Sequence, residues 1–442
     1  MHFSPADDAV EALLRFGVAM LRAGNTAART HEWIEVISRK LALESVSVSQ
    51  SLDSIIVTAR QSGEWITVMR EIGPPAVNVS RIGELERFAR TMESGSAPRD
   101  ISEKLAKIES EPPKYSAWLI TVAVGAASSG FAFISGAAAF ELVAAGFAGA
   151  IGQRFRMWLS RNRYNQYGAA ALTALTASGI YVLLAALMRN VGLEIANFPA
   201  GFMASVLFLV PGFPLVGGLF DLLQYKTVSG VSRLAHGTMT LLAVALGLSI
   251  VIAIAGIDLS RQSPPELAYS LTLLLRAIAS FVAGGAFALL FNSSARTTLA
   301  AGLLALCANS FRLALTDAGM MLAPAAFFSA LVIGVVAVLA DQRYNVPRVA
   351  MTVAPVVIMM PGVYAFEMIV LFNHGQMVEA LQASASCAFV TGALAMGLAT
   401  ARFFQQAIEQ GEPASLRLSR IDIRKRHKLE RSKESRDEWP NV

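Results

Sequence analysis

Few side chains in the long apolar middle of this 442-residue sequence could do chemistry, so those few are the first candidates. An ionisable group in hydrocarbon is costly and is a functional hypothesis by default. Glu367 has apolar neighbours on both sides and follows Pro361 by six residues, about 9 Å along a helix. It suits a proton relay. Arg276, in "LTLLLRAIASF", could meet a substrate carboxylate or pair with Glu367. Asp221 follows Pro211 by ten residues, about 15 Å, which puts it near a membrane boundary where solvation or helix capping competes with a substrate role. Asn309 could bond a substrate, although a hydrogen bond between helices is its commoner use. Glu141 is expected at the outer interface, and His236 at the start of a helix rather than in a proton shuttle.

The backbone offers a second kind of site. "FLVPGFPLVGGLFDLL", Phe208 to Leu223, sets Pro211, Gly212 and Pro214 inside an apolar run, and "VVIMMPGVYAFEMIVLF" repeats the device with Pro361 and Gly362. Proline removes a donor and clashes with the preceding turn, and in a bilayer no water satisfies the freed carbonyls. One such pair reads most simply as a kink. Two, in separate halves of the chain, favour half-helix ends that line a polar site.

The elements that must position these residues are membrane helices. Hydrophobic residues make up 54% of the chain and charged residues 16%, with a mean hydropathy of +0.51. A soluble chain carries about 25% charged residues. Apolar runs near the roughly 20 residues of a span fall at 116–136, 138–153, 168–188, 198–219, 236–256, 268–291, 295–313, 321–340, 349–371 and 377–400. Ten spans put both termini on one face. With that face cytoplasmic, inside connections hold Arg154, Arg156, Arg161, Arg163, Lys226, Arg233, Arg296, Arg343 and Arg348, against Arg189, Arg261 and Arg312 outside. The positive-inside rule agrees. The net charge of +5 therefore belongs to the membrane surface and implies no nucleic-acid partner. Asp7, Asp8 and Glu11 stand where a signal peptide would be basic, so no cleaved leader is expected.

Residues 1–113 are expected to form an α+β cytoplasmic domain: two amphipathic helices, alternating strands at "SVSVSQ", "SIIVTAR" and "EWITVMRE", then two more helices. Membrane modules at 114–258 and 259–403 and a basic, disordered tail at 404–442 complete the division. Phe131 matches Phe287 and Phe155-Arg156 matches Phe311-Arg312, both pairs 156 positions apart, whereas Pro211 and Pro361 are 150 apart. Ordered echoes at near-constant spacing predict a five-helix repeat, and an odd number inverts its second copy. "THEWIE" is no zinc helix, because Glu35 rather than histidine follows His31 by four residues. Cys307 and Cys387 give neither a disulfide framework nor a metal spacing. No Walker-type phosphate loop appears, and no cofactor, metal or enzymatic activity is expected.

The sequence resembles the threonine/serine exporter family through "LLRFGVAMLRAGNTAARTHEWIEVISRKLAL", "LVPGFPLVGGLFDLL" and "FNSSARTTLAAGLLALCANSFR". His31 stands where the family is expected to carry glutamate, and "ISGAAAF" lacks its Gly-Gly-Asp stretch, departures that bear on substrate more than on fold. The resemblance implies a cytoplasmic N-terminal domain, about ten membrane helices, and export of threonine and serine from a bacterial inner membrane by the proton motive force. Dicarboxylate export, as of succinate, is the alternative within the class; a membrane-anchored sensor or scaffold is the alternative outside it. The partners implied are a small hydrophilic metabolite, protons and lipid, and the Gly- and Ala-rich helix faces would also admit a homo-oligomer.

Overall fold

The computed structural model describes residues 5–61, 63–73, 76–192, 198–256, 267–344 and 346–411; of the disordered tail expected at 404–442, residues 404–411 instead continue a helix, and the rest lies outside the described residues. The N-terminal unit begins with α1 (Pro5–Arg22) and α2 (Ala27–Lys40), the latter N-capped by Thr26 Oγ1, which accepts from Arg29 N at 3.3 Å. Strands β1 (Ser45–Gln50), β2 (Ser54–Gln61) and β3 (Glu64–Glu71) form where the alternation predicts them, as an antiparallel sheet with β2 central. The inward residues Ile55, Val57 and Ala59 of β2 are wholly buried, as are Val10, Leu13 and Phe16 of α1, so one face of the sheet packs on that helix. Helices α3 (Val79–Thr91) and α4 (Pro98–Ser110) complete the unit.

Twelve further helices follow among the described residues. They are α5 (Ala117–Ile134), α6 (Ala139–Arg161), α7 (Gln166–Asn190), α8 (Phe198–Ala204), α9 (Gly212–Leu223), α10 (Thr227–Ala255), α11 (Tyr269–Leu290), α12 (Ala295–Asp317), α13 (Leu322–Tyr344), α14 (Arg348–Val357), α15 (Gly362–Asn373) and α16 (Met377–Gly411). Seven are long and apolar enough to cross a membrane, and nine spans result if α8 with α9, and α14 with α15, each count as one. The protein is thus a polytopic membrane protein, with seven to nine candidate spans where the sequence suggested ten. The difference is α6, whose Glu141, Arg154 and Arg156 lower its hydropathy. Glu141 itself is fully buried in the first turn of α6 rather than set in an interface. His236 is also displaced from expectation: α10 begins nine residues before it, and its Nδ1 lies 2.9 Å from Tyr167 Oη on α7.

Both Pro-Gly pairs start helices. The α8–α9 segment bends by 62° and the α14–α15 segment by 41°. Pro211 and Pro361 are the N-caps of α9 and α15, with nearly the same backbone (φ −78°, ψ 57° and φ −78°, ψ 50°). Each proline carbonyl accepts the first helical bond, from Leu215 N at 3.1 Å and from Ala365 N at 3.0 Å. Pro214 falls in the first turn of α9, where a missing N–H costs nothing.

The two breaks touch reciprocally. A Cβ at Gly212 would lie 3.1 Å from side-chain atoms of Val357 and Met360, and one at Gly362 would lie 2.7 Å from Leu207 and 3.0 Å from Val210. Leu207 and Val357, and Val210 and Met360, are each 150 positions apart, the spacing of the two prolines. The same spacing relates Gly247 to Gly397. Their Cβ positions would lie 2.4 Å from the carbonyls of Ala171 and Phe327, which are themselves 156 positions apart. The rings of Phe131 and Phe287 meet edge to face at 5.8 Å.

These glycines admit backbone contact between α7 and α10 and between α13 and α16. Gly247→Val and Gly397→Val are each expected to destabilise the protein by about 1–3 kcal/mol or more, read as a lower melting temperature in detergent. Gly392→Val, where nothing lies within 4 Å of the added Cβ, should leave it unchanged.

Candidate functional site

A cavity of about 450 Å³ opens between the end of α5, the start of α8, the end of α12 and the start of α13. These are the helix ends remote from the N-terminal unit, since the opposite end of α12 adjoins that unit, where Asn292 Nδ2 donates to Asn78 Oδ1 at 3.0 Å. Its polar groups are Arg312 of α12, Tyr364 and Glu367 of α15, and Ser135 beyond α5; Pro361 and Gly362 form its floor. Arg312 is held in place, because its Nε donates to Asn309 Oδ1 at 2.9 Å. Asn309, fully buried, donates in turn to Ser280 Oγ on α11 at 2.8 Å. Arg276 does not join them. Its Nη1 pairs with Oδ2 of Asp317, the last residue of α12, at 2.8 Å rather than with Glu367.

A second cavity, of about 100 Å³, lies on the side of the N-terminal unit. Gly212, Phe213, Val216 and Val357 line its depth, and Thr26, Arg29, Arg348 and Arg402 line its other end. Val357 belongs to both cavities, so the crossed breaks are the partition between them. An ionic network borders this end. Asp341 of α13 binds Arg90 at 2.6 Å, Arg348 at 2.9 Å and Arg29 at 3.3 Å. Arg29 also binds Glu32 at 2.9 Å and Glu86 at 3.0 Å, and Arg402 of α16 pairs with Glu32. Burial works against the charge of Arg29, but the carboxylates of Glu86, Asp341 and Glu32 outweigh it and hold the guanidinium protonated beyond its ordinary range. The guanidiniums of Arg29 and Arg90 lie 5.0 and 5.2 Å from the ring of Trp33.

Asp221 lies beside this network but outside both cavities. It is fully buried at the last turn of α9, where its carboxylate accepts from Ala27 N at 3.3 Å, Ala28 N at 3.4 Å and Ser229 Oγ at 3.1 Å. It thereby caps α2 from 193 residues away and pairs with Arg233 of α10 at 3.2 Å, whose Nη2 donates to Asn25 O at 2.6 Å. Neither is a loop charge. His31 pairs with Glu35 at 3.2 Å, and among the described residues no group of three or more His, Cys, Asp or Glu is placed to hold a metal.

Two models of one family match the chain: "Putative threonine/serine exporter" over residues 11–255 and "Threonine/Serine exporter, ThrE" over residues 276–404. The first alone covers more than half of it. The chain belongs to the threonine/serine exporter family. It is similar to the probable threonine/serine exporter of Mycobacterium tuberculosis, 25% identical over 90% of this chain and 76% of that protein. The threonine/serine exporter of Corynebacterium glutamicum is 24% identical over 92% and 82% respectively. The probable succinate transporter subunit YjjP of Escherichia coli is 26% identical over 55% of this chain and 93% of its own. No solved structure matches.

Within this family member, the structure singles out residues that pattern alone passed over. Arg312 reads in sequence as a charge in an outer connection, and Asp341 as one flanking an apolar run. Arg312 lies five residues before the end of α12, and Asp341 in the last turn of α13 beside Arg343. For Asp221, Asp221→Ala leaves Arg233 buried and uncompensated, at a cost of about 3–5 kcal/mol. The expected result is a lower melting temperature and faster proteolysis between the N-terminal unit and α5. Asp221→Leu combined with Arg233→Met should recover most of the stability.

Proposed function

We propose that the protein exports threonine and serine from the bacterial cytoplasm by alternating access, driven by protons, through two inverted five-element repeats, α5–α10 and α11–α16. The reciprocal contact of the two Pro-Gly breaks, with one cavity on either side, is the observation that carries this reading. In an internal two-fold arrangement, residue i of one half touches j of the other and j touches i. Gly212 with Val357 and Met360, against Gly362 with Leu207 and Val210, follows that rule. Broken helices meeting near the midplane are a recurring way to build a transport site.

In this arrangement the larger cavity is the outward-facing half of the pathway. A zwitterionic amino acid needs a positive group for its carboxylate and an acceptor for its ammonium. Arg312 and the N-terminal end of α15 at Gly362 supply the first, and Glu367 the second. Glu367 is then also the group through which a proton exchanges with substrate. Asn309 orients Arg312, while Arg276 and Asp221 hold helices together. The arginine-rich connections put the N-terminal unit and both termini in the cytoplasm, and Phe147, Leu183 and Ile254 on the outer faces of α6, α7 and α10 meet lipid. The smaller cavity, beside the ionic network, is the inward half of the pathway.

Proteoliposomes loaded with labelled threonine, serine or succinate test the reading. Threonine and serine should leave on imposing a proton gradient, and succinate should not. Arg312→Gln should weaken apparent threonine affinity at least tenfold, about 1.4 kcal/mol. Glu367→Gln should abolish gradient-driven efflux while sparing threonine–threonine exchange. Succinate efflux without threonine efflux would make the dicarboxylate the cargo; no flux of either would favour a sensor or scaffold.

A further inference from the structure

We infer that the inner mouth is itself a carboxylate-binding site, formed by Arg29, Arg348 and Arg402, which the chain fills with its own Glu32 and Asp341 until a carboxylate-bearing substrate takes their place. The inference rests on the export reading and adds to it a capture step on the cytoplasmic side.

Three observations converge. First, these guanidiniums line a cavity whose remaining wall is nearly all apolar, from Phe213 and Val216 to Val357. A volume of about 100 Å³ holds several waters at about 10–15 Å³ each, the size class of a small metabolite. Second, the carboxylates there are shared between guanidiniums. Among the described residues the ion pairs tie four guanidiniums, of Arg29, Arg90, Arg348 and Arg402, to three carboxylates, of Glu32, Glu86 and Asp341. Asp341 alone serves three arginines, close to the acceptor capacity of one carboxylate. An arriving carboxylate would relieve that sharing.

Third, the pairs that would exchange are the ones that join the two parts of the molecule. Glu32 of α2 reaches Arg402 of α16, and Asp341 of α13 reaches Arg29 of α2 and Arg90 of α3. The Glu32 side chain keeps 35% of its exposure, so water and solute can reach it. A substrate carboxylate makes the same kind of charge-assisted bonds to Arg348 and Arg402 as those it displaces. The consequence is mechanical. With Glu32 released, α2 loses one of its ties to α16, and the mouth can open above the cavity. Asp221, which caps α2 from α9, stays bonded and makes the opening a rotation about that point rather than a detachment.

The test is a spin-label distance between α2 and the end of α13 in the full-length protein, with labels at Arg39→Cys and Tyr344→Cys, both exposed positions, and with Cys307→Ser and Cys387→Ser removing the free thiols. Threonine or serine should lengthen the distance, and threoninamide, which keeps the ammonium and lacks the carboxylate, should not. In Arg348→Gln with Arg402→Gln the midpoint of the threonine response should rise at least tenfold, whereas in Arg99→Gln, on the exposed face of α4, it should stay unchanged. A distance indifferent to every carboxylate in a protein that still moves threonine in proteoliposomes overturns the inference and spares the export function. Equal responses to threonine and threoninamide, or an unshifted midpoint in Arg348→Gln with Arg402→Gln, also overturn it. A protein that moves no threonine but opens to succinate retains the inner site and loses the threonine assignment; one that neither moves nor responds loses both.

Discussion

A broken helix inside a membrane leaves backbone groups that neither lipid nor a regular turn can satisfy, and each break in this protein is covered by the other. Without that cover, Pro211-Gly212 and Pro361-Gly362 would each expose unpaired carbonyls to hydrocarbon, at several kcal/mol per group. Together they form a compact crossing in which a glycine of one segment receives aliphatic side chains of the other. The absence of a Cβ at Gly212 and Gly362 is what brings the segments so close. Both halves of the molecule are therefore required at one place, and the cavities on either side follow from that requirement.

The second dependence is the docking of the N-terminal unit. Its helix α2 begins on the carboxylate of Asp221, carried by the half-helix that starts at the first break. A movement of α9 is thus transmitted to α2 directly, and the arginines around Asp341 lie on the same surface. The chemistry of this surface differs from that of the larger cavity. Each guanidinium of the network is met by a carboxylate of the chain, whereas Arg312, which lines the larger cavity, is steadied by a neutral amide.

Much of this was legible in residue order. The N-terminal strands appear because Val and Ile alternate with polar residues at "SVSVSQ" and "SIIVTAR", and the breaks appear because proline leaves few backbone choices. The spacings of 150 and 156 positions, visible at Pro211 and Phe131, return in contacts between Gly247 and Ala171 and between Gly397 and Phe327. What pattern could not supply was which charge faces which. Arg276 and Arg312 are similar in sequence, each an arginine on an apolar helix, yet one pairs with Asp317 at a helix end while the other enters a cavity. Asp221 and Arg233 read as boundary charges, because nothing in their neighbourhood announces an acceptor for the N-terminus of a helix 193 residues earlier. Long-range electrostatic pairing depends on how helices pack, and local periodicity carries no record of it.

The account stands on the crossed breaks forming the barrier between the cavities. The most direct measurement is a reversible cross-link there: Val210→Cys with Gly362→Cys in a protein whose Cys307 and Cys387 are replaced by serine. A Cβ on Gly362 would lie 3.8 Å from Cβ of Val210, within the range a disulfide needs. Oxidation should form the bond, stop threonine transport in proteoliposomes, and be undone by a reductant with recovery of flux. Failure of the bond to form, or undiminished flux with the bond in place, would contradict the account.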